Sequence, residues 1–238
     1  MKEVIGRTFS ANESYKLMVN NYKKTDGILA IFFFVFHMIL LYLTGWVLVQ
    51  FDVLLNSIFG LVTICLVFLL IRGRKQSVQT VGITRTHILR SSLVGLILSL
   101  PFIAFTVIPR ITATIHAIQL FNVLYSIFFY LIVISFGEEV VYRGYIQPRL
   151  HGLIKNNFLA VILGGTMFSI MHIPFQSALY YFHNGQLWPS WITPLQLLLW
   201  FGWHIVFNAI YRKYNSLAGS VILHFFMNFT IIQAVFLV

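Results

Sequence analysis

The amino-acid sequence predicts an all-α fold: a polytopic transmembrane helical bundle of about seven spans with its N-terminus in the cytoplasm. Three observations predict it. Hydrophobic residues make up 59% of the 238 and charged residues only 9%, with a mean hydropathy of +0.86, whereas a soluble domain carries roughly 25% charged residues. Apolar runs long enough to cross a bilayer, about 20 residues each, recur along the chain. The basic residues between those runs then fall almost entirely on one side.

In chain order, residues 1–26 form a polar, basic tail, and the spans are expected at about 27–49, 53–71, 92–108, 119 to beyond 137, 158–182, 194–211 and 217–238. Alternating the connections between two sides places Lys2, Arg7, Lys16, Lys23, Lys24, Arg72, Arg74, Lys75, Arg85, Arg90, Arg143, Arg149, Lys155, Arg212 and Lys213 together, and leaves Arg110 alone opposite. By the positive-inside rule the crowded side is cytoplasmic. The first apolar run begins after the tail and is too long for the core of a signal peptide, so no cleaved leader is expected. The chain therefore reads as a cytoplasmic tail, 1–26, and one transmembrane domain, 27–238, whose motif-bearing core covers about 119–238. Residues 76–90, mixed in polarity, are expected to lie along the cytoplasmic interface. Trp188 and Trp191 suit the outer interface.

The formal charge of +10 would suit nucleic acid, but its placement beside apolar spans points to membrane lipids as partners instead. The single cysteine, Cys65, excludes an intrachain disulfide and sits in an apolar run unfavourable to a thiolate. Oligomeric state leaves no signal.

Chemistry is expected where charge survives in apolar surroundings. After Asp52 the only carboxylates are Glu138 and Glu139, and a carboxylate at membrane depth needs a partner or a watery cavity. Glu139 and Arg143 stand i, i+4 with the acid first, the favourable order for a helix ion pair, while Glu138 points about 100° away around the helix. A free, partly desolvated carboxylate suits a general base. Two more polar placements follow: His172 in the fifth run, and His224 with Asn228, an i, i+4 pair on one face of the seventh.

These residues resemble the CAAX prenyl protease and bacteriocin-processing (CPBP, or Abi) intramembrane proteases. The resemblance rests on Glu138-Glu139-Val-Val-Tyr-Arg143-Gly144, then Phe168-xxx-His172, then His224-xxx-Asn228 after Asn215-Ser216-Leu217. It spans roughly residues 136–228. It implies an intramembrane endopeptidase in which Glu138 activates a water with help from His172, while His224 and Asn228 stabilise the oxyanion. Glu139, Arg143 and Phe168 support the site. The implied substrate is a membrane-associated peptide or protein, either a CAAX-type C-terminus or a leader, pheromone or bacteriocin-type peptide. The Phe, Ile, Asn and Lys richness suits an AT-rich bacterial genome, a lean toward peptide processing or immunity at a bacterial plasma membrane.

The sequence holds no HExxH, no GxSG and no aspartate beyond Asp52, which removes zincin-like, rhomboid-like and two-aspartate sites. No cofactor is assigned, and zinc stays possible. A zinc version of the same peptidase would use Glu138, His172 and His224 as its ligands. A proton-coupled transporter and a non-catalytic immunity or scaffold protein are the readings from other classes. His204 and Asn208 repeat the HxxxN spacing; His204 is expected to be a buried, hydrogen-bonding histidine, and His37 is given no role. For Glu138 and His172 to meet at one depth, the fourth helix must continue to about residue 147 and the fifth must run through a kink at Pro174.

Overall fold

The computed structural model describes residues 11–51, 56–114 and 119–230, and these residues contain helices and no strand. Helix α1 (Glu13–Asn20) starts at Asn12, whose side chain accepts from the Ser14 N–H at 2.9 Å. Its Tyr15 meets Tyr211 edge-on with ring centroids 5.5 Å apart. The Asn12 N–H donates to the Arg212 carbonyl at 2.9 Å, and the Asn215 amide donates to the Ser14 hydroxyl at 3.2 Å. The described part of the tail is thus docked on the helical body, while Lys2 and Arg7 lie outside the described residues.

Helix α2 (Lys24–Phe51) and helix α3 (Asn56–Gly73) follow. Helix α4 runs through Ile88–Phe102, a π-helical stretch Ile103–Val107, and Ile108–Thr114. Helix α5 is one rod, Leu120–Gly152, interrupted by two π-helical stretches, Phe129–Phe136 and Glu139–Ile146. Then come α6 (Asn157–Ile170), α7 (Ile173–Asn184), α8 (Pro194–Tyr214) and α9 (Ala218–Asn228).

The surface is far more apolar than that of a soluble bundle. Phe32, Val35, Phe36 and Ile39 of α2 and Leu93, Ile97 and Leu100 of α4 face outward, whereas Ser91, Ser99, Ser126 and Ser135 are buried. Apolar side chains toward lipid and small polar ones between helices are what a bilayer selects, because lipid gives apolar side chains no reason to hide. Small residues also let helices meet. A Cβ on Gly95 would overlap the Gly219 backbone, so α4 and α9 touch main chain to main chain, and the Gly219 N–H donates to Ser91 Oγ at 2.9 Å. That contact fixes the helix that carries His224.

The all-α membrane bundle is as expected, with differences in its elements. Four helical stretches, Lys24–Phe51, Ile88–Thr112, Leu120–Gly152 and Asn157–Asn184, are long and apolar enough to cross a membrane. Ser57–Gly73 and Ala218–Asn228 are apolar but shorter; Val53 at the start of the second expected span, and residues 231–238 of the last, lie outside the described residues. The sixth expected span is a 21-residue helix whose His204, Asn208, Arg212 and Lys213 dilute its apolarity. Residues 76–90 do not simply follow an interface. They place a 3-10 turn, Val78–Val81, against α5, where a Cβ on Gly144 would lie 2.7 Å from the Val81 carbonyl oxygen. The Arg149 guanidinium clamps this segment by donating to Gln76 Oε1 at 2.5 Å and Thr80 Oγ1 at 3.3 Å.

Helix α5 continues past residue 147, as the depth argument requires. The break expected at Pro174 occurs two residues earlier, at Met171 and His172, and Pro174 takes its place in the first turn of α7. A proline there costs little, since its missing N–H would have had no partner inside the helix.

Candidate active site

The two glutamates stand where the two π-helical stretches of α5 meet. A widened turn re-aims the side chains beyond it, and π-bulges recur at functional sites for that reason. Glu139 points into the packed interior. Its side chain and that of Arg143 are both 0% exposed and pair at 3.0 Å. The Arg143 guanidinium lies 3.8 Å from the Phe168 ring centroid and 4.9 Å from that of Phe207, so the cation sits between two aromatic faces as well as beside its carboxylate.

Glu138 faces elsewhere. Its side chain keeps 21% of its exposure and lines a cavity of about 340 Å³ together with Gly137, Val141, Met171 and His172. The opposite wall comes from α2 and α3, through His37, Leu40, Leu41, Thr44, Phe59, Gly60 and Thr63. A largely apolar cavity with a few convergent polar groups is the usual form of a small binding site, and about 300 Å³ is the lower end of the usual range.

His172 reaches this cavity from the break between α6 and α7. Its Nδ1 lies 3.0 Å from the Phe168 carbonyl; a carbonyl can only accept, so the proton is on Nδ1 and Nε2 is left as an acceptor. The ring is held flat against Trp200, with centroids 4.2 Å apart and planes within 9°. Phe168, beyond supplying that carbonyl, packs edge-on against both Tyr142 and His172.

His224 bridges the two carboxylates. Its Nδ1 is 3.0 Å from Glu139 Oε1, and its Nε2 is 3.7 Å from Glu138 Oε2. Phe207 stacks on its ring at 4.9 Å. Asn228, the last residue of α9, is half-buried, lies one turn beyond His224 and is not among the cavity-lining residues. The second HxxxN pair lies apart: His204 is 0% exposed, and neither of its nitrogens hydrogen-bonds to a described residue. The expectation of a buried His204 agrees with the structure, and a hydrogen bond for it is not seen. Among the described residues no three His, Cys, Asp or Glu side chains are grouped closely enough to hold a metal ion.

Sequence reasoning passed over His37 and Tyr142. The His37 Nδ1 lies 3.2 Å from the Tyr142 hydroxyl, and His37 lines the same cavity as Glu138. A histidine inside an apolar span was the available signal, the same one that singled out His172.

Residues 119–230 match the family model of the type II CAAX prenyl endopeptidase Rce1-like proteins. The match covers a little under half of the chain. No curated protein and no solved structure matches the chain. The matched region holds Glu138, Glu139, Arg143, Phe168, His172, His224 and Asn228, and so agrees with the resemblance drawn from the three motifs. Helices α2 and α3, which close the cavity, lie outside the match.

Proposed function

We propose that this protein is an intramembrane endopeptidase that hydrolyses a peptide bond of a membrane-associated substrate with a water activated by Glu138. The observation that carries this reading is the division of labour on α5, where Glu139 is sealed against Arg143 while Glu138 opens on a cavity it shares with His172. The family match supports the coarser statement, a CAAX-type membrane protease; the roles and substrate are our reading.

Among Glu138, Glu139, Arg143 and His224, the charges of Glu139 and Arg143 cancel. Glu138 is left as the carboxylate that faces the cavity. The Glu138 carboxylate removes a proton from water as the water oxygen attacks the substrate carbonyl. The protonated Glu138 later delivers that proton to the leaving amine as the C–N bond breaks. The Nε2 of His172 accepts from the same water and fixes its direction. We assign His224, with Asn228 one turn on, to the negative charge that develops on the carbonyl oxygen, where donors in a dry site count most. Zinc is not needed in this scheme, and leader, pheromone or bacteriocin-type peptides are the substrates we favour.

The test is the mass of a cleavage product formed by the protein in liposomes. Glu138→Gln keeps the shape and removes the base, and should cut the rate by at least about a hundredfold, the lower range for general base catalysis. Turnover by Glu138→Gln near the unmodified rate would end the proposal. We further propose a cytoplasmic N-terminus. A reporter fused after Lys24 or Arg74 should read cytoplasm and one fused after Val238 the other side; a cytoplasmic signal from the last would mean an even number of spans.

A further inference from the structure

We infer that His37, on the first long helix and outside the matched region, is a substrate-binding residue whose Nε2–H receives a main-chain carbonyl oxygen of an extended, apolar peptide segment. This rests on the peptidase reading and adds the group that holds the substrate opposite the base.

The argument begins with the Tyr142 hydroxyl. Tyr142 is 1% exposed, so its proton needs an acceptor inside the protein. Among the described residues the His37 Nδ1, at 3.2 Å, is the hydrogen-bond partner it has. The phenol therefore donates to Nδ1, and a neutral imidazole that accepts at Nδ1 carries its proton on Nε2. The tyrosine sets the tautomer. Phe33 lies parallel to the His37 ring, with centroids 6.4 Å apart and planes within 8°, and restricts its swing.

The other polar groups of the cavity narrow the assignment. Thr44 spends its hydroxyl proton on the Leu40 carbonyl and Thr63 on the Phe59 carbonyl, each at 2.8 Å. His172 carries its proton on Nδ1, engaged with Phe168, and offers only an acceptor. That leaves His37 and Gln176 as the donors on the cavity wall, and of these His37 alone has its donor fixed by a neighbour. The remaining lining is apolar, with Leu40, Phe59, Val133, Met171 and Phe175 among it. A peptide entering such surroundings gives up water at each carbonyl it buries and needs a donor in exchange. A free C-terminal carboxylate has the same acceptor chemistry, and the test separates the two sources.

The probes are quenched-fluorescent peptides of about ten apolar residues, each made with a free or an amidated C-terminus, presented to the full chain in liposomes. For a peptide the unmodified protein cleaves, His37→Phe should raise KM about tenfold, the worth of one buried hydrogen bond, with kcat changed far less. His37→Gln, which restores a donor, should recover most of that loss. Replacing peptide carbonyls one at a time by thiocarbonyls, which are poorer acceptors, should weaken binding at one position in the unmodified protein and at none in His37→Phe. Binding is read separately on Glu138→Gln, which does not need turnover, with and without His37→Phe, and with thermal stability recorded for each.

Tight binding to Glu138→Gln with no cleavage by the unmodified protein would sink the peptidase reading and leave the His37 contact standing. Equal peptide affinity with and without His37→Phe in stably folded protein would overturn the inference. A dependence seen only with the free acid would assign His37 to the terminal carboxylate and overturn the main-chain assignment. If no apolar peptide binds at all, both readings fail.

Discussion

The two faces of α5 carry the same kind of side chain one residue apart and put it to opposite uses. On the cavity face, Val133, Ile134, Gly137, Glu138 and Val141 look across open space at α2 and α3. On the packed face, Glu139, Arg143 and Gln147 are all 0% exposed. A carboxylate on the second face is bound on one side by Arg143 and on another by His224, and it has no freedom to meet a substrate. The difference teaches that the motif's charge is divided between chemistry and architecture, and that surroundings make the division.

The comparison breaks most readily on stability. Glu139→Gln leaves Arg143 as a fully buried cation without its counter-charge, and removing one partner of such a pair costs about 3–5 kcal/mol. Glu138→Gln alters a group that still reaches the cavity, and should cost less than about 1 kcal/mol. The measurement is thermal unfolding in detergent, with cleavage assayed beside it. Glu139→Gln should therefore lose folded protein, and Glu138→Gln should lose turnover while still accumulating. Equal destabilisation by both would show that the two faces do not differ in the way proposed.

Restoring neutrality sharpens the same contrast with a smaller effect. In Glu139→Gln/Arg143→Met the buried charges leave together, and the methionine can occupy the space between Phe168 and Phe207. Replacing a buried ion pair by apolar groups is often neutral or stabilising, so the double variant should recover at least about 2 kcal/mol over Glu139→Gln alone. A double variant no more stable than the single one would mean that Glu139 is held chiefly by His224 and that Arg143 has little part.

Much of this arrangement was legible in the chain. The bundle followed from composition and apolar runs, because bilayer thickness sets helix length. The Glu139–Arg143 pair followed from helical spacing, and the continuation of α5 from the need to bring Glu138 and His172 to one depth. What could not be read were features set by contacts between distant segments. The π-helical stretches that meet at the glutamates leave no periodic mark. His37 is 101 positions before Glu138 and outside the matched half, so only folding shows that they share a cavity. The docking of α1 depends on Tyr15 meeting Tyr211, and the turn at Val78–Val81 on the space left by Gly144. Spacing also could not choose between the two HxxxN pairs.

That choice gives the smallest expected effect. His204 and His224 precede an asparagine by the same four positions and are both buried, yet their neighbours differ. His224 has a carboxylate within reach of each nitrogen, at 3.0 and 3.7 Å. His204 has an aromatic neighbour, Phe168, at 5.8 Å between centroids, and no hydrogen bond to a described residue. Removing His224 strips a partner from Glu139, so His224→Leu should cost about 1–3 kcal/mol and nearly all turnover. Removing His204 takes away a polar group that makes no hydrogen bond to a described residue, and an apolar side chain of similar size avoids the desolvation it carries. His204→Leu should thus stay within about 1 kcal/mol of the unmodified stability, on either side, and keep most of its turnover. Unfolding temperature and cleavage rate for the two variants decide it. If His204→Leu proves as inactive as His224→Leu while remaining folded, the pair on α8 acts on the reaction, and buried isolation cannot be used to set it aside.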